Sequence, residues 1–486
     1  MRFLDLTIRE LHNELVKKTI TPLDLVKEAL RRAKADDNNA FECILEKEAL
    51  EQALKLKEPE VHNLFWGIPF VIKDNFSTKD IATTASSNIL NGYIPVYDTT
   101  VVKKLLNAKA ILIGKTTLDE LAMGGSGTTG HLGITYNPYD RKHEHLIGGS
   151  SCGSASSVAA AIVPFALGSD TGDSVRKPAS YGGLVGFKPT WGRISRFGLF
   201  PFACSLDHVG YFTRSVYDSA ILLNLLAGRD VEDSTSSDVT VEDYTKLLTT
   251  EIKGVKIAIV KEIIDSIYDK SINSAFQKTL QALKLKGAKV EYVSIDKKLL
   301  EALLPTYFVI SCAEATSNNA NLDGIKFGPH FAGKTYDETI LQARTKGFSE
   351  LIKRRFVIGS FCLMRENQEV LFLRAQKVRR MIVDKVNSIL KDYDAIFVPA
   401  SPTPAPKIGE MSDRLSDEYL IADNHMVIAN VAGLPSITVP LGFKGNLPFG
   451  GNLTSVAFNE VKLLQIASVI EDITGFYNLS ARTAKI

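Results

Sequence analysis

The chain has 486 residues, 45% hydrophobic and 23% charged, enough to bury a large core in one big domain or two to three ordinary ones. Its net charge of +2 gives no electrostatic case for nucleic-acid or membrane binding, and no stretch approaches the roughly 20 apolar residues of a membrane span. Five scattered cysteines with no C-x-x-C pair read as reduced thiols of a soluble, cytoplasmic protein rather than as a disulfide frame.

At the N-terminus Asp5 and Glu10 interrupt the apolar positions, which argues against a secretory signal. Thr7 and Glu10 form a capping-box pattern ahead of Leu11, Leu15 and Val16, and Thr21-Pro22 restarts a helix with proline at its first position. Further helical turns over 46–56 make the first sixty residues read as a helical scaffold. Strand signals begin at 67–72, a short apolar run ending in Lys73-Asp74-Asn75, and return at 110–114 after a helix over 100–108. Later apolar runs at 255–260, 290–293, 395–398 and 436–439 alternate with helical stretches at 272–286 and 370–391. The alternation predicts an α/β fold with a largely buried sheet and a helical insertion. The chain divides into an N-terminal helical segment (1–62), a catalytic α/β part (63–228), a helix-rich elaboration (229–392) and a C-terminal part of the same core (393–486).

The densest chemistry lies between Gly148 and Pro178. Gly148, Gly149, Ser150, Ser151, Gly153 and Ser154 leave almost no side chain to bury, and a second glycine-serine turn follows at 168–174. Two bare turns beside a small-residue helix bring backbone N–H groups and serine hydroxyls together, which suits an oxyanion held beside a nucleophile. Competing short patterns are weaker. Gly149 to Gly153 satisfies G-x-S-x-G, but the preceding segment is too polar for a buried strand. Asp170-Thr171-Gly172 lacks the second carboxylate that aspartic-protease chemistry needs, and Ser174 to Lys177 fits S-x-x-K without its companion motifs. Gly114-Lys115-Thr116 lacks the upstream glycine of a phosphate loop, and His143-Glu144-His145 has the wrong spacing for a metal site on one helical face. Lys73 stands at the lip of the sheet, where it either snorkels to water or, if desolvated, serves as a base. The histidines nearest the serine-rich segment, His143 and His145, read as part of a solvated loop, so lysine is the natural base for a serine nucleophile.

These stretches resemble the amidase signature family of Ser–Ser–Lys amidohydrolases. Gly148 to Ser154 resembles its GGSSGGS stretch, Ser169 to Pro178 its SDTGGSxRxP stretch, and Gly67 to Asn75 its lysine motif. The resemblance implies a single large domain with a mixed sheet covered by helices on both faces. Further stretches at 183–198, 205–210, 311–328 and 429–440 are similar to the members that act as glutaminase subunits of tRNA-dependent amidotransferases. That similarity implies glutamine as substrate, ammonia passed to a partner that converts misacylated Glu-tRNA(Gln), amidotransferase B and C subunits as partners, and ATP and Mg at the partner subunit. It implies no metal or cofactor in this chain. By the same resemblance Ser174 is the nucleophile, Ser150 the cis-serine relaying the proton and Lys73 the base. The backbone of Thr171, Gly172, Asp173 and Ser174 forms the oxyanion hole. Arg355, rather than its neighbour Arg354, is expected to take the substrate carboxylate and Asp423 the α-ammonium, with Ser126 and Tyr307 also in the pocket. A stand-alone amidase on another small amide, or a catalytically impaired structural subunit, are the rival readings.

Two positions depart from the family pattern. Asp173 stands where the family has glycine, and its side chain is expected to point away from the oxyanion hole, toward Arg176. Cys152 replaces another glycine in the serine loop, a spare thiol with no visible histidine partner.

Overall fold

A run such as Pro69-Phe70-Val71-Ile72-Lys73 has no polar alternate, and a strand of that kind is stable only where both faces of its sheet are covered. The computed structural model, which describes residues 3–246, 248, 251–410 and 414–484, puts it at the heart of an 11-stranded sheet. The strands are β1 (Phe41–Ile44), β2 (Pro69–Lys73), β3 (Ile111–Thr116), β4 (Phe165–Asp170), β5 (Val185–Lys188) and β6 (His208–Thr213). They continue with β7 (Lys256–Val260), β8 (Lys289–Val293), β9 (Ala395–Pro399), β10 (Ser436–Lys444) and β11 (Leu447–Thr454). Their order is β1-β3-β2-β4-β6-β5-β10-β11-β9-β7-β8. The sheet is mixed: β2 runs parallel to β3 and β4, β7 runs parallel to β8 and β9, and the pairings between these two groups are antiparallel. Every residue of β2, β3, β4, β5 and β6 is buried, so helices and loops cover both faces there.

The N-terminal helices begin where their caps predict. Thr7 and Glu10 close a reciprocal capping box on the helix Ile8–Val16, and Thr21 and Asp24 do the same for Pro22–Lys34. The first sixty residues are not wholly helical, however. Phe41–Ile44 is a strand, antiparallel to β3 at the sheet edge. Four half-buried residues are too few for a periodic pattern, which is why the sequence did not announce it. The expected helix at 370–391 is Arg374–Leu390, preceded by a π-helical turn at Glu369–Leu373.

A second departure concerns apolar length. The stretch Lys297–Asn318 reaches 22 residues at a mean hydropathy of 1.2, long and apolar enough by composition to span a bilayer. Half of it is buried inside the protein, where the helix Leu303–Asn318 packs against the helices Glu350–Leu363 and Arg374–Leu390.

Parallel pairing decides where the chemistry sits. Lys73 ends β2 opposite Thr116 at the end of β3, and Asp170 ends β4, the other parallel neighbour of β2. Three carboxyl ends therefore open on one edge of the sheet, the edge at which parallel α/β folds place their sites.

Candidate active site

Lys73 is fully buried at that edge. Its Nζ lies 2.8 Å from Ser150 Oγ, 2.9 Å from Ser169 Oγ and 3.4 Å from the Ser169 carbonyl. Burial disfavours an ammonium here and lowers its pKa to about 7, only partly opposed by the negative groups around it. A neutral amine keeps two hydrogens for Ser169 and one lone pair for the Ser150 hydroxyl, so the site holds a base whose proton acceptor faces Ser150. Asn75 Nδ2 donates to Ser169 Oγ over 3.0 Å and fixes that side of the arrangement.

Ser150 lies in the loop between Gly148 and the helix Cys152–Ala159, and its peptide bond to Gly149 is cis. The loop has no room for side chains. A Cβ on Gly149 would run into the Asp119 carboxylate. That carboxylate accepts hydrogen bonds from the N–H groups of Ser126, Gly127, Thr128 and Thr129 and from the Thr129 hydroxyl, at 2.8–3.1 Å. The Asp119 N–H donates to the Ser150 carbonyl over 3.1 Å. Asp119 thus ties the loop carrying Ser126 to the loop carrying Ser150. Ser126 Oγ itself pairs with Thr128 Oγ1 at 2.7 Å. Cys152 is buried, and burial pushes its thiol up to about 12, far from a neutral-pH nucleophile.

The second turn is shaped by a buried ion pair. Arg176 grips Asp170 with both ends of its guanidinium, Nη2–Oδ1 at 2.9 Å and Nε–Oδ2 at 3.1 Å, and also donates to the Gly172 carbonyl at 2.7 Å. Asp170 Oδ2 accepts the Val175 N–H, and the Thr171 hydroxyl donates to Asp207 at 2.7 Å. Burial pushes the Asp207 carboxyl up to about 6 despite this bond and those from the N–H groups of Ala203 and Phe202. Between these anchors the backbone N–H groups of Thr171, Gly172, Asp173 and Ser174 meet no acceptor among the described residues. Four unused donors around one serine are the raw material of an oxyanion hole. Ser174 is joined to the first loop by its carbonyl, which accepts the Ser151 N–H at 3.2 Å. Its hydroxyl has no protein partner among the described residues, so the contact between Ser150 and Ser174 is not closed; catalytic hydrogen bonds commonly tighten only with substrate in place.

The remaining expected residues gather around this turn. Tyr307, on the helix Leu303–Asn318, covers Gly172 so closely that a Cβ there would stand 3.2 Å from its ring. Arg355 stacks its guanidinium over Phe308 and Phe202, and its Nε and Nη1 are buried without a partner among the described residues, while Arg354 points to solvent. Of the doublet, Arg355 is the one with donors to spare. Asp423 Oδ1 sits 3.1 Å from Lys177 Nζ.

The expectation for Asp173 needs correcting. Its carboxylate turns to Lys177, one helical turn on, at 2.8 Å, because Arg176 is already committed to Asp170. Nor does Asp173 adopt a left-handed backbone, so a side chain there carries no conformational penalty. Gly114-Lys115-Thr116 is part of β3, where Lys115 forms a buried pair with Asp74 at 2.8 Å. Sequence reasoning passed over Ser169, Asp119, Asp207 and Lys177. Ser169, Asp207 and Lys177 lie inside stretches that carried the resemblance, whereas Asp119 stands at a position with no motif to mark it.

A lysine-backed serine loop facing a second serine turn, on the carboxyl edge of this mixed sheet, defines a Ser–Ser–Lys amidohydrolase. The chain belongs to the Amidase family, whose model matches residues 24–464. Among its relatives is the glutamyl-tRNA(Gln) amidotransferase A subunit of Pediococcus pentosaceus, 40% identical over 98% of both chains. The crystal structure of the corresponding protein from Thermotoga maritima superposes with a TM-score of 0.78 at 39% identity, over 97% of this chain and 95% of that one. The peptide amidase of Stenotrophomonas maltophilia shares the architecture at a TM-score of 0.80 and 26% identity, over 96% and 97% of the two chains.

Proposed function

We propose that this protein is the glutaminase subunit of a tRNA-dependent amidotransferase, hydrolysing glutamine and supplying the ammonia. Neutral Lys73 accepts a proton through Ser150 from Ser174, whose Oγ attacks the side-chain amide carbon. The N–H groups of the 171–174 turn take the charge developing on the carbonyl oxygen, each such donor being worth about 2.7–4 kcal/mol. The proton returns through Ser150 to the leaving nitrogen, ammonia departs, and water cleaves the acyl-enzyme. Arg355 receives the substrate's α-carboxylate, Asp423 its α-ammonium, and Ser126 and Tyr307 line the pocket. The observation that carries this reading is the 2.8 Å contact between a buried lysine and Ser150, beside a serine turn with unspent N–H donors. B and C subunits would complete the assembly, with ATP, Mg²⁺ and misacylated Glu-tRNA(Gln) handled mainly on the B subunit.

The test is ammonia release from glutamine by the chain purified with B- and C-type subunits. Ser174→Ala is expected to abolish it with the thermal unfolding curve unchanged, and full activity in that variant would sink the mechanism. Faster turnover of simple aliphatic amides than of glutamine would point instead to a stand-alone amidase.

A further inference from the structure

The turn that carries Ser174 also carries a carboxylate, and the structure shows what balances it. Lys177 Nζ spends its three donors on Asp173 Oδ2 at 2.8 Å, Asp423 Oδ1 at 3.1 Å and the Asp423 carbonyl at 2.6 Å. The lysine side chain is 8% exposed against 14% for Asp173 and 27% for Asp423, so it lies beneath the two carboxylates. Each carboxylate therefore presents its other oxygen, and neither Asp173 Oδ1 nor Asp423 Oδ2 has a hydrogen-bond donor among the described residues. Two carboxylates and one ammonium leave the cluster at a net charge of −1. Arg176 cannot neutralise it, being held by Asp170, Gly172, Met426 and Asn430.

Building on the glutaminase reading, we propose that Asp173 and Asp423, clamped by Lys177, form a two-carboxylate seat for the substrate's α-ammonium. Lys177 is a positioning residue in this scheme. Its charge holds the Asp173 side chain away from the oxyanion donors of its own turn and keeps the two carboxylates from repelling each other. The seat favours amides that carry a free ammonium over otherwise identical ones that do not.

The experiment compares glutamine with glutaramate, which has the same amide and carboxylate but no ammonium, on the complex with B- and C-type subunits. Asp173→Gly keeps the backbone N–H but brings the seat to zero net charge. It is expected to raise KM for glutamine about tenfold or more while leaving KM for glutaramate unraised. Lys177→Gln leaves two unclamped carboxylates beside the turn, and its loss is expected in kcat for both substrates. The double variant returns the seat to a single carboxylate and recovers most of the glutamine KM, a rescue that a merely structural role for Lys177 would not produce. Equal KM effects on both substrates in Asp173→Gly, or no recovery in the double variant, would overturn the seat. Failure of the parent complex to hydrolyse glutamine would instead remove the glutaminase reading, and the seat with it.

Discussion

Lys73 Nζ and Ser150 Oγ meet at 2.8 Å although 77 positions separate them in the chain. The pairing exists because β2 and β4 run parallel and release their carboxyl ends at the same edge, where the serine loop folds over them. A base this deeply buried is active only when neutral.

The first prediction follows from its titration. The free-enzyme profile of kcat/KM for glutamine is expected to rise with pH through an inflection near 7, the value to which burial brings Lys73, and to level off above it. The stability linkage has the same direction. Native Lys73 sheds its proton at a lower pH than the unfolded chain, so the burial penalty is full below about 7 and fades as pH rises toward 10.5. Lys73→Arg keeps the charge but cannot release a proton, and its glutaminase activity is expected to fall to background at every pH. A profile flat from pH 6 to 9 would exclude Lys73 as the base.

Why part of this site was legible beforehand is a matter of residue type. Apolar runs such as those of β2, β3, β7, β9 and β10 exist only to be buried, and glycine-serine turns without packing side chains stand out against them. β4, β5, β6 and β11 were missed because their glycines and hydroxyls, as in Phe165-Ala166-Leu167-Gly168-Ser169-Asp170, break the apolar run at the positions where backbone must approach closely. The partner of Asp173 was also beyond reach. Arg176 and Lys177 are adjacent in sequence, and only the prior capture of Arg176 by Asp170 decides between them.

Arg355 and Arg354 form the second prediction. Arg355 is stacked at 5.1 Å over Phe308 and 5.6 Å over Phe202 with two buried nitrogens unused, whereas Arg354 is exposed. Arg355→Met is expected to raise KM for glutamine about 30-fold or more, the usual scale for losing a desolvated charge partner. Arg355→Lys should recover little, because an ammonium lacks the planar fork that stacks and binds a carboxylate at two points. Arg354→Met is expected to leave KM within twofold, a difference steady-state kinetics resolves.

The third concerns the spare thiol. Cys152 begins a buried helix with its Sγ 3.5 Å from the Thr117 carbonyl, and burial holds the thiol near 12. At pH 8 almost none of it is thiolate. Cys152→Ala is therefore expected to retain glutaminase activity, and iodoacetamide is expected to leave the folded protein active while labelling the exposed Cys204. Peptide mapping after alkylation separates the two sites. Rapid inactivation with label on Cys152 would show instead that this thiol is reactive and needed for activity.

The fourth concerns the pair that shapes the nucleophile turn. Asp170 and Arg176 are both fully buried, and burial alone would raise the carboxyl's pKa; the Arg176 guanidinium, gripping it at two points, wins and holds it well below its ordinary 3.8. A depressed carboxylate contributes stability above the unfolded value and loses it as pH falls through the folded one, so this pair survives acid that protonates ordinary carboxylates. Arg176→Ala leaves the Asp170 carboxylate buried without its ion partner, held among the described residues only by the Val175 N–H and the Asn430 amide, and removes the donor to the Gly172 carbonyl, which is expected to cost about 3–5 kcal/mol in urea unfolding. Asp170→Asn together with Arg176→Met removes both charges at once, and much of that stability is expected to return. Activity is not expected to return with it. The four N–H donors of the turn owe their direction to the Arg176 bonds to Asp170 and Gly172, and no apolar substitute reproduces those bonds. A double variant that is both stable and fully active would show that the ion pair serves folding alone.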